Sequence, residues 1–163
     1  MFHRKFVIMM SVALTALAFA VAFSTAPAHA ATRTIRHSKS WIAYRYATAQ
    51  HGKWYCWGGA GPSCYDCSGL VSAAYRQAHI WLGRTTYDML HSGRLIPISH
   101  AQARPGDLAF YGTGHVEFFV RGDITFGAHD AGSRIGWLRF NGYWHPTAYY
   151  RVRGAMQGAA VGT

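Results

Sequence analysis

The chain has 163 residues, half of them hydrophobic and 15% aromatic, with 16 Lys and Arg against six acidic residues. The many aromatic side chains exclude an intrinsically disordered protein, and the length suits one compact domain rather than two. The basic residues are scattered singly, so the formal net charge of +10 is not organised into a nucleic-acid-binding motif, and no nucleic-acid partner is expected.

The first 30 residues have the pattern of a signal peptide. Basic residues open the segment, an apolar run follows from Phe6 to Phe23, and Ala28-His29-Ala30 forms a small-x-small cleavage site. We therefore expect cleavage after Ala30 and export; a retained membrane anchor is the alternative. Cleavage leaves 133 residues and lowers the Lys and Arg count from 16 to 14 against six acids, a net charge of +8. An exported protein with this charge can bind the anionic polymers of a cell envelope.

The next part of the chain has helical periodicity. Residues 31–39 are polar and basic without periodicity, and they predict a flexible leader. Ser40 can cap a helix that runs to about His51 and stops at Gly52. A short aromatic segment then leads into a glycine-rich loop, residues 57–63.

Cys67 lies at the start of the following helix. Asp66 can accept a backbone N–H as the N-cap, and apolar residues recur at helical spacing as far as Ala78. A helix N-terminus lowers the pKa of a thiol and favours the nucleophilic thiolate. Cys67 is therefore a candidate nucleophile, and the alternatives are a small buried residue or half of a disulfide.

The chain has three cysteines, an odd number that leaves at least one thiol unpaired within it. Cys56 and Cys64 bracket the flexible loop, which can bend back to let them join. We predict a Cys56–Cys64 disulfide and a free Cys67. A Cys64–Cys67 bridge is the competing option, and it would block the nucleophile.

The second half of the chain changes from helical to alternating periodicity. Thr85 or Thr86 caps a short helix that Gly93 ends, and strands are then predicted over 108–111, 115–120, 124–129, 135–140 and within 143–153. Asn141-Gly142 is a strong hairpin signal, so these strands are expected to form a meander. Helices followed by strands predict an α+β domain over residues 40–153, with N-terminal helices packed against a central antiparallel sheet. A flexible tail is expected over 154–163.

A thiolate nucleophile needs a base within hydrogen-bonding distance, and the base needs a third group to orient it. His115 opens the central strand after a glycine turn, where its ring can reach over the sheet edge. Three residues could orient this ring: His129 on the neighbouring strand, Glu117 on the same face as His115, and Asp130. The histidines could instead be structural. No HExxH motif or paired Cys-x-x-Cys spacing occurs, so neither a metal site nor a cofactor is predicted.

Several motifs arrive in the order and spacing of the NlpC family, papain-like cysteine peptidases of bacterial cell walls. The motifs are Tyr55-x-Trp57-Gly58-Gly59, Asp66-Cys67-Ser68-Gly69-Leu70-Val71, Arg84-Thr85-Thr86, Pro105-Gly106-Asp107-Leu108 and Gly114-His115-Val116. The chain resembles this family over about residues 40–129. The resemblance implies a papain-like core, in which Cys67 matches the nucleophile and His115 the general base. By the same resemblance Tyr55 lies near the oxyanion, and Asp66 and Ser68 line the substrate site.

The chain departs from the family at the third position of the site. The family's third polar residue commonly falls twelve positions after the base, which is Gly127 here, and Glu117 replaces what is commonly a small residue. His129 lies two residues beyond Gly127 and can take the third role only if the strand continues that far. The pair Cys56 and Cys64 is also an addition within the first motif.

The resemblance implies a secreted, wall-associated peptidase that cleaves peptidoglycan stem peptides, usually between D-glutamate, through its γ-carboxyl, and a diamino acid. Three alternatives stay open: an amidase cutting between muramic acid and L-alanine with the same Cys–His pair, an acyl transferase, and a non-catalytic basic module that binds the wall. The expected partners are peptidoglycan and anionic wall polymers, and the protein is expected to be a monomer.

Overall fold

The computed structural model describes residues 37–156. The predicted signal peptide and most of the predicted leader and tail lie outside the described residues. The helices are α1 (Lys39–Thr48), α2 (Cys67–Gln77) and α3 (Thr86–His91). Helix α1 begins before the predicted Ser40, because the Oγ of Ser38 accepts the Trp41 N–H and caps the helix there.

The strands form a short parallel pair and a six-stranded antiparallel sheet. The pair is β1 (Trp54–Tyr55) with β2 (Cys64–Tyr65); the sheet contains β3 (Leu95–Ile98), β4 (Leu108–Tyr111), β5 (His115–Arg121), β6 (Ile124–Gly127), β7 (Gly136–Arg139) and β8 (Ala148–Val152). The order in the sheet is β3-β8-β4-β5-β6-β7. The predicted α+β class, with helices against an antiparallel sheet, is confirmed.

The meander is correct from β4 to β7 and wrong at its last step. Strand β8 pairs with β4 and β3 at the other side of the sheet and not with β7, so Asn141-Gly142 lies in a crossing loop. Strand β3 was not predicted as a strand. It contains Pro97, and it pairs with β8 alone at an edge of the sheet, where a proline is tolerated.

The two faces of β5 have different roles. Val116 and Phe118 are fully buried in the core between the sheet and the helices. The Phe118 ring lies 6.0 Å from that of Tyr75 on α2 and 6.1 Å from that of Tyr44 on α1. Burial of each such side chain contributes roughly 1.5–3 kcal/mol to stability. The alternate residues of β5, which include His115, point to the opposite face.

The ordered domain continues slightly past the predicted boundary at residue 153. Ala155 is fully buried, and its carbonyl accepts the Ser40 N–H at 3.1 Å. The start of the predicted tail is therefore packed against the start of α1. Within residues 37–156, no helix has the length and apolar character that a bilayer-spanning segment needs.

Candidate active site

Cys67 is the first residue of α2, and its thiol is free. Asp66 caps the helix from extended backbone, and its Oδ1 accepts the Gly69 N–H at 2.6 Å. This cap places the Cys67 side chain beside the unpaired N–H groups and the positive end of the helix dipole. The helix start predicted at Cys67 is confirmed.

The Asp66 carboxylate also holds together three segments around the cleft. Its Oδ2 accepts the Gly58 N–H at 3.0 Å from the glycine-rich loop. Arg84 binds both carboxylate oxygens, at 3.0 and 2.7 Å, and donates to the Gly59 carbonyl and to the Ser68 hydroxyl. A two-point guanidinium–carboxylate contact fixes orientation as well as charge. Arg84 was noticed in the sequence only as part of a motif, and the structure gives it this positioning role.

The structure places Cys67 and His115 close enough that each side chain shifts the pKa of the other. Burial alone would raise the pKa of the Cys67 thiol, but the hydrogen bond and charge of His115, with the N–H groups of Val116 and Ser68, leave it lowered. Burial opposes the charge on His115, yet Cys67 and Glu117 together raise the pKa of its imidazole to about 9. The two shifts favour a thiolate–imidazolium pair near neutral pH.

Glu117, on the same face of β5, binds the far side of the His115 ring. Its Oε1 accepts from Nε2 of His115 at 2.9 Å, which leaves Nδ1 for the Cys67 sulfur. The side chain of Glu117 is completely buried. Burial raises the pKa of a carboxyl group, but the donors His115, His129 and Thr125 outweigh burial and lower the pKa of Glu117 to about 2. Glu117 is therefore an ionised carboxylate.

His129 lies one step further from the ring than the sequence predicted. Strand β6 ends at Gly127, so His129 follows the strand and does not take the position beside His115. Its Nδ1 binds Oε1 of Glu117, and it therefore supports the carboxylate. Gly127 leaves the necessary space, because a Cβ there would lie 2.6 Å from Cγ of Glu117. Asp130, the third candidate, makes no side-chain hydrogen bond within residues 37–156, and the structure does not place it on His115.

A cleft of about 380 Å³ opens in front of Cys67. It is lined by Tyr55, Trp57, Gly58, Asp66, Cys67, Ser68, Arg84, Thr85, Thr86 and Gly114. The predicted residues Tyr55, Asp66 and Ser68 thus share one cleft with the thiol. Burial, together with the charges of Cys67, Asp66 and Asp130, raises the pKa of Tyr55, so its hydroxyl keeps its proton and can donate a hydrogen bond. A larger cavity of about 620 Å³ adjoins the cleft at Arg84 but is not lined by Cys67 or His115.

A disulfide closes the loop that borders this cleft. Cys56 and Cys64 are bonded with their Cα atoms 5.7 Å apart, as predicted from the sequence. Between them Trp57 is 92% exposed at the cleft. The loop also approaches α2 closely, since a Cβ on Gly69 would lie 2.0 Å from the Gly59 carbonyl oxygen.

Residues 52–153 match the NlpC/P60 family. The chain belongs to the NlpC/P60 family. Among curated relatives, it is 35% identical over 127 residues to the probable endopeptidase p60 of Listeria grayi. It is 33% identical over 117 residues to the bifunctional muramidase/DL-endopeptidase CwlT of Bacillus subtilis. These alignments cover 74% and 66% of this chain but 24% and 35% of the relatives, so the chain spans only part of their length.

Solved structures of the same family share the fold. An NLP/P60 family protein similar to a lipoprotein from Staphylococcus aureus superposes with a TM-score of 0.62 at 28% identity, covering 75% of this chain and 45% of that one. The peptidoglycan hydrolase RipB of Mycobacterium tuberculosis superposes with a TM-score of 0.58 at 26% identity, covering 69% and 64%. The predicted NlpC-type fold is therefore confirmed.

Two contributors to the site were missed in the sequence. Thr125 on β6 donates to Oε2 of Glu117, and because its one proton goes to the carboxylate, it accepts from the Tyr111 hydroxyl at 3.0 Å. Trp144, in the loop before β8, lies with its ring centroid 5.7 Å from that of His115. Neither residue belongs to a motif, and only the pairing of distant strands and loops brings them to the site.

Proposed function

We propose that this chain is a secreted cysteine peptidase that hydrolyses peptidoglycan stem peptides at the D-γ-glutamyl–diamino acid bond. The observation that carries the proposal is the arrangement of a free Cys67 that lines the cleft, His115 beside it, and Glu117 hydrogen-bonded to the His115 ring. The names of two relatives support the substrate class, since one is a DL-endopeptidase and another a peptidoglycan hydrolase.

The first step is attack of the Cys67 thiolate on the carbonyl carbon of the scissile bond. The carbonyl oxygen gains negative charge, and the N–H groups at the start of α2 and the Tyr55 hydroxyl are the donors that face it. His115, protonated in the resting pair, gives its proton to the leaving amine as the C–N bond breaks. The products are the free amine and a thioester on Cys67.

The second step returns the enzyme to its starting state. His115, now neutral at Nδ1, accepts a proton from water as the water oxygen attacks the thioester carbonyl. The carboxylic acid leaves, and the proton stays on the imidazole beside the regenerated thiolate. Glu117 holds the ring through Nε2 in both steps, so the same tautomer serves both proton transfers.

The test compares wild type with Cys67→Ala on purified peptidoglycan, with soluble products identified by mass spectrometry. We expect wild type to create new amines on the diamino acid, and Cys67→Ala to lose activity by several orders of magnitude. Ser72→Ala is the matched control, because Ser72 is buried on the same helix and its hydroxyl has no partner in the described part of the chain. This control should keep wild-type activity.

Two other outcomes would replace the proposal. New amines on L-alanine, with the same dependence on Cys67, would identify an amidase. Equal behaviour of wild type and Cys67→Ala, with retention on the wall and no released peptide, would identify a non-catalytic wall-binding module. Treatment of wild type with iodoacetamide should abolish activity, because the reagent alkylates the Cys67 thiolate.

A further inference from the structure

A second cavity lies on the His115 side of the site, separate from the cleft in front of Cys67. Its volume is about 300 Å³, and its lining residues are His129, Asp130, Leu138 and Trp144. Two of these residues touch the proposed machinery directly. His129 binds Glu117, and the Trp144 ring packs beside that of His115. Two of the residues that line the cavity therefore contact His115 or its partner Glu117.

In the proposed reaction, the two cavities bind different parts of the substrate. His115 delivers its proton to the leaving amine, so the residue that carries this amine must lie on the His115 side. The acyl part then lies in the cleft lined by Asp66 and Arg84. A backbone hydrogen bond from Tyr55 N–H to the Ser133 carbonyl, 3.0 Å, ties the cleft to the turn that begins at Asp130. One cavity is thus lined by Cys67 and the other by residues in contact with His115 and Glu117, and a backbone hydrogen bond joins the segments that border them.

Asp130 is unusual among the six acidic residues, all of which lie within the described range. The other five are engaged: Asp66 by Arg84, Asp107 by Arg151, Asp123 by Arg139, Glu117 by two histidines, and Asp88 by the capping box of α3. Within residues 37–156 the Asp130 carboxylate has no ion pair and no hydrogen bond, whereas its backbone binds Ser133. It is exposed at the cavity.

Because the chain as a whole is basic, the Asp130 carboxylate is one of few places on its surface that can attract a cation. With 16 Lys and Arg against six acids, most of the surface repels a cation. An unpaired carboxylate that lines the same cavity as a half-exposed tryptophan ring is a combination that attracts an ammonium group, through the ion pair and through the aromatic ring. The leaving residue of the proposed reaction is a diamino acid, which carries such an ammonium on its side chain.

We propose that this cavity binds the leaving diamino acid and that Asp130 pairs with its free side-chain ammonium. The inference rests on the proposed function and adds a determinant of specificity to it. Stem peptides with an unmodified side-chain amine are bound best, and acylation of that amine, as in a cross-link, removes the charge that Asp130 recognises. The protein therefore prefers stems that are not cross-linked.

The test measures kcat/KM on two soluble peptides, L-Ala-γ-D-Glu-L-Lys and the same peptide with L-norleucine, which lacks only the side-chain amine. Wild type should prefer the lysine peptide by about three- to ten-fold, the range for a partly exposed ion pair assisted by an aromatic face. Asp130→Asn should lose this preference, because kcat/KM should fall for the lysine peptide and stay unchanged for the norleucine peptide. Asp123→Asn, which removes an acid on a distant hairpin, should keep it.

Each contrary result has one meaning. Equal cleavage of both peptides by wild type, or an unchanged preference in Asp130→Asn, overturns the assignment of this cavity and leaves the proposed function standing. An equal loss on both peptides in Asp130→Asn shows a structural role and also overturns it. Release of neither lysine nor norleucine from these peptides by wild type contradicts the proposed function itself, and the inference falls with it.

Discussion

Cys67 and the buried carboxylate of Glu117 both strengthen the hold of His115 on its proton. Burial pushes the imidazole toward the neutral form, and the charges of Cys67 and Glu117 reverse this and raise its pKa to about 9. The imidazolium is thus present below about pH 9 and is lost as the pH rises through that value. The thiolate, by contrast, is lost as the pH falls through the lowered pKa of Cys67. Activity should therefore show an acid limb set by the thiolate and a basic limb set by the imidazolium.

Glu117→Gln should move the basic limb of kcat/KM to lower pH, because the amide keeps the shape of the side chain and removes its charge. The maximal rate should fall at least about ten-fold, because the neutral amide no longer stabilises the imidazolium or fixes its tautomer. His129→Gln is the matched control. It removes a donor to Glu117 and leaves the carboxylate on His115, so its basic limb should move less. Equal profiles for wild type and Glu117→Gln would show that this carboxylate does not hold the proton.

Gly127 and Glu117 have exchanged the roles that the family resemblance assigns to these two positions. A side chain at 127 would collide with Glu117, since the added Cβ would lie 2.6 Å from its Cγ. Gly127→Ala should therefore destabilise the protein by about 1–3 kcal/mol, the usual cost of overpacking, and lower activity by displacing Glu117. Gly142→Ala, where nothing lies within 4 Å of the added Cβ, is the control.

A double-mutant cycle measured by chemical denaturation checks the cause. If the collision with Glu117 is responsible, adding Gly127→Ala to Glu117→Ala should cost much less than adding it to wild type. Equal costs in both backgrounds would mean that the strain at Gly127 comes from elsewhere.

The positions of Cys67 and His115, the proposed nucleophile and base, could be predicted from the sequence because local signals mark both. Asp66 is a helix cap directly before Cys67, and a glycine turn precedes His115 at the start of a strand. The choice between Glu117 and His129 could not be made in this way. It depended on whether β6 continues past Gly127, and the end of a strand is set by its pairing with both neighbours.

The glycine-rich loop between Cys56 and Cys64 positions the cleft through backbone groups. The Gly58 N–H and the Gly59 carbonyl contact the Asp66–Arg84 pair, and Trp57 extends into the cleft. Closing a loop of this length lowers the entropy of the unfolded chain by an amount equivalent to about 2–3 kcal/mol. The disulfide therefore constrains the loop whose backbone groups help to form the cleft.

Removal of the disulfide by Cys56→Ala with Cys64→Ala should lower the free energy of unfolding by about 2–3 kcal/mol. It should also raise KM more than it lowers kcat, because the loop borders the cleft while Cys67 and His115 lie on α2 and β5. Urea denaturation and steady-state kinetics on a soluble stem peptide measure the two effects. A loss confined to kcat, with KM unchanged, would contradict this role for the loop.

The order of the strands shows where local patterns stop being informative. The connections from β4 to β6 have only two or three residues, and alternation with glycine turns predicted the order of the strands from β4 to β7. Strand β8 follows an equally good turn signal, Asn141-Gly142, yet it crosses to pair with β4 and β3. The crossing brings the Trp144 ring beside that of His115 and stacks it on the Tyr111 ring, with centroids 4.9 Å apart. A turn motif predicts a local reversal of the chain, but it does not determine which strand of the sheet the next strand will pair with.

The excess of basic residues acts on the molecule as a whole. With 16 Lys and Arg against six acidic residues, most of the positive charge is left uncompensated. Such a surface is attracted to anionic wall polymers over distances comparable with the Debye length, about 10 Å at 0.1 M salt and 3 Å at 1 M. Salt should therefore weaken attachment to the wall without altering the chemistry at the buried Cys67.

Cys67→Ala protein mixed with purified cell walls should sediment with them at 50 mM NaCl and be released at 500 mM NaCl, since the attraction is mainly long-range. Walls stripped of their anionic polymers should retain much less protein at either concentration. Over the same range of salt, kcat for a soluble stem peptide should change less than about two-fold, because the Cys67–His115–Glu117 series is buried and poorly screened. Salt-resistant sedimentation on stripped walls would instead indicate that the neutral glycan or the stem peptide supplies the attachment, and that the net charge serves only solubility.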